Sequence, residues 1–322
     1  MIRVAATLGL IGLVGAVALF IFEGVGPVFA IWASGGVGIV LAALFHFAPM
    51  ALNGRAWQLL LPSRNRMGFV TFLWAVWIRE AVNGLLPVAR IGGEVAATQF
   101  LTGRGLRPSR AIASLLVDMT ASLGSQTVFT LAGVALLLAE SRSQSIIRLV
   151  VATSVVASFL AGAFWFVQGR GLFGLLARIL RSVFGDRFAT LQREAAPLDR
   201  AVRALYRRKS GLAACFLWQI LGWFGGAGEI GLALYFLGQR PNFGEAVTIE
   251  AVIQALSSIA FVVPGAIGVQ EGGFVAIGSL VGLPPDVALA LALFRRARDV
   301  IVFAPALAAW QFSFGRWLWA RI

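Results

Sequence analysis

Long apolar runs, separated by short polar loops rich in arginine, make up most of this chain of 322 residues. Six of the runs are long enough to cross a membrane as helices, because roughly 20 residues at about 1.5 Å each span the hydrocarbon core. They cover residues 4–22, 37–61, 111–139, 146–167, 212–236 and 285–312. The pattern therefore predicts an all-α, polytopic membrane protein, in which residues 1–322 form a single integral membrane domain with about six full spans.

Two further apolar segments, 69–100 and 246–280, are interrupted by proline and glycine. The interrupting residues are Pro87, Gly92, Gly93, Pro264, Gly265 and Gly268. Backbone that leaves a helix at membrane depth is tolerated only where protein or trapped water satisfies its polar groups. Arginines flank the first segment at both ends, so it must enter and leave on one side. Its second arm, Glu94–Gly103, is about 15 Å long as a helix, or half a bilayer. We therefore predict two re-entrant helical hairpins.

A single offset of 177 residues relates the two interrupted segments. Seven residues separate Pro87 from Glu94, and seven separate Pro264 from Glu271. The pattern Gly-Leu-x-Pro-x-x-Ala-x-Ala also recurs at this offset, so the chain contains two repeats, about 37–139 and about 212–312. Because an odd number of predicted crossings lies between them, we expect the second repeat to be inverted. Inverted-topology repeats place a transport site near the middle of the membrane.

Composition and charge agree with a membrane protein. The chain is 59% hydrophobic and only 13% charged, a balance that excludes an ordinary soluble domain. Its net charge of +13 is compatible with nucleic acid as a partner, but most arginines lie in short loops between apolar runs. This positive-inside pattern predicts a multi-pass protein of the bacterial inner membrane, with both termini in the cytoplasm. We expect anionic lipid headgroups at that face as partners and no nucleic acid.

The one long polar segment, 169–209, has apolar residues at helical spacing with arginines between them. This pattern is typical of a basic amphipathic helix lying on the cytoplasmic face of the membrane. A solvated linker helix is the alternative. The single cysteine, Cys215, lies in an apolar run, and a disulfide framework within the chain is excluded.

Ionisable and polar side chains inside the apolar segments are the candidates for function, since each charge at a helix centre costs about 2.5–3.5 kcal/mol. The candidate substrate-binding residues are Arg90, Glu94, Asp118, Gln270, Glu271, Arg295, Arg298 and Asp299. One interpretation is a polar cavity for a zwitterionic or anionic headgroup, in which arginines bind the anion and the acids balance the charge. The alternative is a set of buried ion pairs that only fixes the packing of the hairpins.

The sequence shows few features of an enzyme. It has no His, Cys and Asp cluster with metal-ligand spacing, no phosphate-binding Gly-Lys-Ser/Thr motif and no Gly-x-Ser-x-Gly motif. Glu94 and Glu271 could form an acid/base pair, but no nucleophile or cofactor is evident to act with them. His46, the only histidine, is interpreted as a hydrogen-bonded packing residue, with a proton relay as the alternative. We therefore predict no enzyme activity, no cofactor and no metal.

Two motifs resemble the signatures of a known family. Pro-Val-Ala-Arg-Ile-Gly-Gly-Glu94, followed by the helix of Asp118, is similar to the first signature of the lysylphosphatidylglycerol synthase transmembrane (flippase-like) family. Pro264-Gly-Ala-Ile-Gly-Val-Gln-Glu271, followed by an arginine-rich helix, is similar to the second. The resemblance covers nearly the whole chain and implies movement of a lipid between leaflets. The bifunctional synthases also carry a soluble aminoacyl-transferase domain, whereas this chain ends at Ile322, so lipid aminoacylation is not expected.

Within that family, the sequence Gly-Val-Gln-Glu-Gly-Gly-Phe, with Gly-Leu-Pro-Pro and Arg-Arg-Ala-Arg-Asp, most resembles the hopanoid-biosynthesis-associated HpnL-type membrane proteins. This resemblance implies hopanoids or their polar derivatives as the lipid, and hopanoid-synthesis enzymes as partners. Three functions stay open: a lipid flippase or transporter, a non-catalytic membrane scaffold, and an intramembrane lipid-modifying enzyme. The paired interrupted hairpins favour the first, because a scaffold needs no polar centre inside the membrane.

Overall fold

A computed structural model of the chain describes residues 36–62, 67–86, 92–140, 189–259 and 269–319. Within these ranges the regular secondary structure is helical. The described helices are α1 (Val37–Phe45), α2 (Phe47–Leu60), α3 (Phe69–Leu85), α4 (Gly92–Gly103), α5 (Pro108–Glu140), α6 (Ala189–Arg207), α7 (Lys209–Phe236), α8 (Phe243–Ile259), α9 (Val269–Leu280) and α10 (Pro285–Trp319).

Part of the predicted pattern lies outside the described residues. This holds for the spans at 4–22 and 146–167 and for the polar segment as far as residue 188. The candidate and hairpin residues outside the described ranges are Pro87, Arg90, Pro264, Gly265 and Gly268.

Three long helices coincide with apolar runs that were predicted as spans, and two of them are candidates for crossing a membrane. Pro108–Leu138 of α5 and the whole of α7 are long and apolar enough to cross a membrane, by length and composition. α10 is longer, at 35 residues, but its middle carries the charged run Arg295, Arg296, Arg298 and Asp299. These helices contain the predicted runs 111–139, 212–236 and 285–312. The count of six spans and two re-entrant hairpins stays a prediction.

The apolar run 37–61, predicted as one span, is instead two helices that meet at His46. Pro49 explains this division, because proline lacks the N–H that a continuous helix would bond to the carbonyl of Phe45. At the junction the N–H of His46 bonds the carbonyl of Ala43 at 3.2 Å. The predicted span therefore consists of two helices, and whether they cross a membrane as one span stays a prediction. The junction places His46 where its side chain meets groups from α3, α7 and α10.

Each interrupted segment forms two helices that pack against each other, α3 with α4 and α8 with α9. Gly92 and Gly93, predicted to lie in the interruption, are instead the first two residues of α4. A Cβ on Gly93 would lie 2.6 Å from the Asn83 amide and closer still to the carbonyl oxygen of Arg79. Glycine is thus required at position 93 by the close approach of α4 to α3.

Polar side chains join the two helices within each pair. In the first, Asn83 accepts a hydrogen bond from the Gly93 N–H at 2.9 Å and donates to the Glu94 carboxylate at 3.1 and 3.2 Å. In the second, Gln270 donates to the Ser257 hydroxyl at 2.9 Å. These bonds fix the start of α4 against α3 and the start of α9 against α8.

The offset of 177 residues seen in the sequence also relates local structure. α4 and α9 each have 12 residues, and α5 and α10 begin at Pro108 and Pro285. After α4, Gly105 has φ +98°, and after α9, Gly282 has φ +80°, which are left-handed conformations that favour glycine. In both places the next N–H returns to a carbonyl five residues earlier, as in a Schellman motif. The two repeats therefore share the boundaries of the returning helix, the turn after it and the start of the next helix.

The repeats exchange contacts reciprocally. α3 of the first repeat packs against α10 of the second, and α8 of the second packs against α5 of the first. α2 packs against α7, and the end of α7 is the segment equivalent to α2 under the offset. Reciprocal contacts of this kind are what a two-fold relation between repeats produces. The direction of that axis relative to a membrane, and hence the inversion, stays a prediction.

The described helices carry apolar side chains outside and charges inside. Val70, Leu217 and Tyr235 are 61%, 60% and 64% exposed, whereas Asp118 is fully buried and Arg298 is only 3% exposed. In a soluble protein, apolar area of this extent would need a covering partner. α6, the described end of the segment 169–209, packs against α5 and buries Val202 in the core.

Candidate functional site

A partly open cavity of about 450 Å³ lies among the helices of both repeats. Side chains from α2 to α5 and from α7 to α10 line it, and both interrupted segments contribute. The lining residues that carry charge or titrate are His46, Arg79, Glu80, Glu94, Glu229, Glu250, Arg295, Arg298 and Asp299. Asn83, Gln126, Gln254 and Gln270 add polar amides. The cavity is thus a polar compartment enclosed by apolar helices.

Arg79 of α3 forms the first of three ion pairs around the cavity. Its Nη1 donates to Oδ2 of Asp118 at 2.9 Å, and its guanidinium lies 5.4 Å from the centre of the Trp57 ring. Asp118 lies behind Arg79, where Oδ1 accepts a hydrogen bond from Gln219 at 2.9 Å and contacts the Cys215 thiol at 3.8 Å. The second repeat thus completes the hydrogen bonds of a buried carboxylate in the first.

Arg295 of α10 and Glu250 of α8 form the second pair. Nη1 and Nη2 of Arg295 donate to the two carboxylate oxygens at 2.8 and 3.2 Å, a bidentate arrangement. The amide of Gln254 donates to Oε1 of Glu250 at 2.7 Å. Glu250 is 3% and Arg295 9% exposed, so the pair is nearly removed from solvent.

Arg298, Glu229 and His46 form the third group. Nη1 of Arg298 lies 3.1 Å from Oε1 of Glu229, and Nε lies 3.0 Å from Oδ1 of the adjacent Asp299. Nδ1 of His46 lies 2.6 Å from Oε2 of Glu229 and contacts Nη1 of Arg298. Nε2 of the same ring lies 3.8 Å from Oε2 of Glu80. Helices α3, α7 and α10 thus meet around one imidazole.

The cavity has an excess of carboxylates. Within the described ranges, three guanidinium groups and five carboxylates line it, and these leave two negative charges in excess if His46 is neutral. Among the described residues, neither Glu80 nor Glu94 lies within ion-pair distance of an arginine. In the described part of the chain, a bound ligand can therefore meet two carboxylates that have no arginine partner, whereas an anion must compete with carboxylates for each arginine.

The structure brings most of the predicted site residues together. Glu94, Gln270, Arg295, Arg298 and Asp299 line the cavity. Asp118 lies one layer behind, paired with Arg79. Glu271 does not line the cavity, because its carboxylate turns to Arg296 at 3.0 Å.

Five titratable lining residues were missing from the predicted site: His46, Arg79, Glu80, Glu229 and Glu250. Each is an ionisable residue inside an apolar run, which is the signal that pointed to the others. His46, interpreted from the sequence as a hydrogen-bonded packing residue, lies beside the carboxylates of Glu80 and Glu229. In the part of the chain that the structure describes, no group of three or more His, Cys, Asp and Glu side chains is placed to hold a metal ion.

Comparison with known proteins gives the family. The UPF0104 membrane protein PH1989 of Pyrococcus horikoshii is 25% identical over 279 residues, which cover 80% of this chain and 81% of that protein. No solved structure matches the chain. The family described as the lysylphosphatidylglycerol synthase TM region matches residues 4–306, which confirms the family resemblance of the two motifs. The chain is therefore a membrane protein that belongs to the lysylphosphatidylglycerol synthase TM region family.

Proposed function

We propose that this protein moves a polar lipid across or within the bacterial inner membrane, as a flippase or transporter without enzyme activity. The family's description points to membrane lipids as the partner. The observation that carries the proposal is the charged cavity of about 450 Å³, which both interrupted segments line. A headgroup crossing the membrane needs such a compartment, because polar groups in hydrocarbon lose their hydrogen bonds.

The size of the cavity suits a lipid headgroup. At about 30 Å³ per water molecule, 450 Å³ holds roughly fifteen waters, which is room for a headgroup and part of its hydration. The apolar side chains on the outside of the helices would meet the hydrocarbon chain of the same lipid. Headgroup and tail would thus each stay in a suitable environment while the lipid moves.

The charge balance favours a zwitterionic headgroup over a purely anionic one. Glu80 and Glu94 present carboxylates that can bind a cationic group, while Arg79 and Arg298 can bind an anionic group by sharing their carboxylate partners. Hopanoids with polar substituents, or phospholipid derivatives, are the lipids proposed, on the resemblance to HpnL-type proteins. A role beside hopanoid-synthesis enzymes as partners rests on the same resemblance.

The proposed arrangement in the membrane is an inverted-topology repeat with two re-entrant hairpins and both termini in the cytoplasm. Reciprocal packing of α3 on α10 and of α8 on α5 supports the repeat. Arginine-rich loops support the orientation. The lipid site would then lie near the middle of the membrane, between the repeats.

Glu94→Gln tests the cavity as the path of the lipid. The substitution removes one charge but keeps an acceptor for the Asn83 amide, so α4 should stay in place. A hydrogen bond to a charged group contributes about 1.5–3 kcal/mol, so translocation should slow about tenfold or more. The measurement is the leaflet distribution of a labelled polar lipid in reconstituted vesicles, beside expression level.

The repeat itself supplies the matched comparison. Glu271 is equivalent to Glu94 under the offset of 177 residues, but its carboxylate faces Arg296 outside the cavity. Glu271→Gln should therefore slow translocation less than Glu94→Gln does, when each rate is compared at equal amounts of folded protein. Wild-type rates from Glu94→Gln would show that the cavity is not the path and would favour a scaffold.

A further inference from the structure

One group of side chains in the cavity can bind and release a proton between fixed partners. His46 is the only histidine of the chain, and it occupies the junction between α1 and α2. Its side chain is 12% exposed and lies against the cavity. An imidazole is the side chain whose ordinary titration falls near neutral pH, so its surroundings decide whether it carries charge.

Charged groups from three helices face this ring. Glu80 comes from α3, Glu229 from α7 and Arg298 from α10, and Asp299 pairs with Nε of Arg298. These are three carboxylates and one guanidinium, so a proton on the ring reduces an existing excess of negative charge. The next groups outward, on α3, α5, α8 and α10, are the ion pairs Arg79–Asp118 and Arg295–Glu250, each neutral as a pair.

Both protonation states of the ring have a partner. Nδ1 lies 2.6 Å from Oε2 of Glu229 and also contacts Nη1 of Arg298, and with a hydrogen on Nδ1 the ring donates to the Glu229 carboxylate. In the neutral ring Nε2 is then an acceptor, and Nη1 of Arg298 lies 3.2 Å from it. In the protonated ring Nε2 becomes a donor, and Oε2 of Glu80 is the carboxylate oxygen at ion-pair distance from it, 3.8 Å away. A proton therefore changes the partner of Nε2 from Arg298 to Glu80.

This change of partner acts on the contact between the helix junction and α10. Arg298 and Phe303 both belong to α10, and the Phe303 ring packs edge-to-face on His46 with centroids 5.6 Å apart. A protonated imidazole repels the guanidinium of Arg298, so protonation weakens the contact between Arg298 and His46. The same side chains line the cavity, so their separation changes the space open to a ligand.

We propose that His46 and Glu80 form a proton-binding site and that its occupancy controls the cavity, so that protons drive or gate the movement of the lipid. The proton site itself rests on the contacts around the ring. Its coupling to lipid rests on the proposed function. The residues have separate roles: His46 takes the proton on Nε2, Glu80 accepts the hydrogen bond from it, and Arg298 is displaced.

The single histidine makes the proton site directly measurable. The full chain, purified through a tag without histidine and labelled only at histidine nitrogen, gives one imidazole to follow by NMR in nanodiscs. We expect Nε2 to gain a proton within about pH 5–8. Glu80→Gln should reduce the protonated fraction at each pH, whereas Asp286→Asn, at an exposed acid outside the cavity, should leave it unchanged.

Two results would overturn the site. One is a ring that keeps the same hydrogens from about pH 5 to 9. The other is a titration in Glu80→Gln that equals that of the wild type. Should Glu80→Gln not fold, Glu80→Asp keeps the charge but withdraws the carboxylate, and it must still reduce the protonated fraction.

Coupling to lipid is tested in vesicles with an imposed pH gradient and a trapped pH-sensitive dye. Wild-type protein should move labelled lipid faster with the gradient than without it and should take up protons as it does so. His46→Gln should remove both effects, while Asp286→Asn keeps them. Equal rates with and without the gradient in the wild type would overturn coupling and leave the proposed function standing. Titration of His46 without any movement of lipid would support the proton site and refute the proposed function.

Discussion

Gly93→Ala adds a single methyl group at the point where α4 comes closest to α3. The new Cβ would lie 2.6 Å from the Asn83 amide and closer to the backbone oxygen of Arg79, which cannot rotate away. α4 must therefore move outward by more than a few tenths of an ångström. Glu94 is the next residue along α4, so its bonds to Asn83 would lengthen at the same time.

The magnitude follows from three contributions. Overpacking in a close helix contact costs about 1–3 kcal/mol. The Asn83 bonds to the Gly93 N–H and the Glu94 carboxylate contribute about 0.5–1.5 and 1.5–3 kcal/mol if both are lost. Alanine in a helix regains roughly 0.5–1 kcal/mol relative to glycine. With the bonds weakened rather than lost, we expect the free energy of unfolding to fall by about 2–4 kcal/mol.

The same helix supplies the control. Gly103, the last residue of α4, has open space around its Cβ position, so Gly103→Ala should leave stability unchanged or raise it slightly. Reversible unfolding of both variants in mixed micelles, followed by tryptophan fluorescence, measures the difference. A Gly93→Ala protein as stable as Gly103→Ala would refute the close approach of α4 and α3 as the reason for glycine.

Two further predictions concern the buried ion pairs and the orientation of the chain. Glu250→Gln should lower the free energy of unfolding by about 3–5 kcal/mol, because it leaves the nearly buried Arg295 without its counter-ion. The double change Glu250→Leu with Arg295→Met should recover most of that loss. A Glu250→Gln protein as stable as the wild type would contradict a structural role for this ion pair. Arg200→Cys, exposed on α6, should react with an impermeant maleimide only after cells are opened, because the arginine pattern places this segment in the cytoplasm. Labelling in intact cells would show that this segment lies outside the cytoplasm and would contradict the predicted orientation. The native cysteine, Cys215, is buried and should add little background.

Local signals in the sequence predicted the helices well. The second arm of the first hairpin was expected at Glu94–Gly103 and is α4, Gly92–Gly103. The end of α4 follows from chemistry within a few residues, since Gly105, a glycine with positive φ, closes the turn directly after the helix. The break at His46 had a local signal too, in Pro49, but the length of the largely apolar run favoured a single span.

The partners inside the cavity could not be predicted in the same way. Apolar runs showed which ionisable residues lie among the helices, but Glu250 and Arg295 are 45 residues apart and meet only through tertiary packing. The sequence also did not show which side of α9 faces the cavity. Gln270 lines the cavity, while the adjacent Glu271 turns to Arg296. Neighbouring residues on a helix point about 100° apart, so only the packing of α9 decides which one faces inward.

The bond between Gln219 and Asp118 has a consequence for how the chain is made. Arg79 precedes Asp118 by 39 residues, so the arginine is synthesised before the aspartate. Gln219 follows by 101 residues, a delay of about 5–20 s at 5–20 residues per second. During that interval the nascent first repeat holds its buried acid with the arginine alone. Charge neutralisation within the first repeat thus comes early in biosynthesis, and the contacts that interlock the two halves can form only after α7 has been inserted.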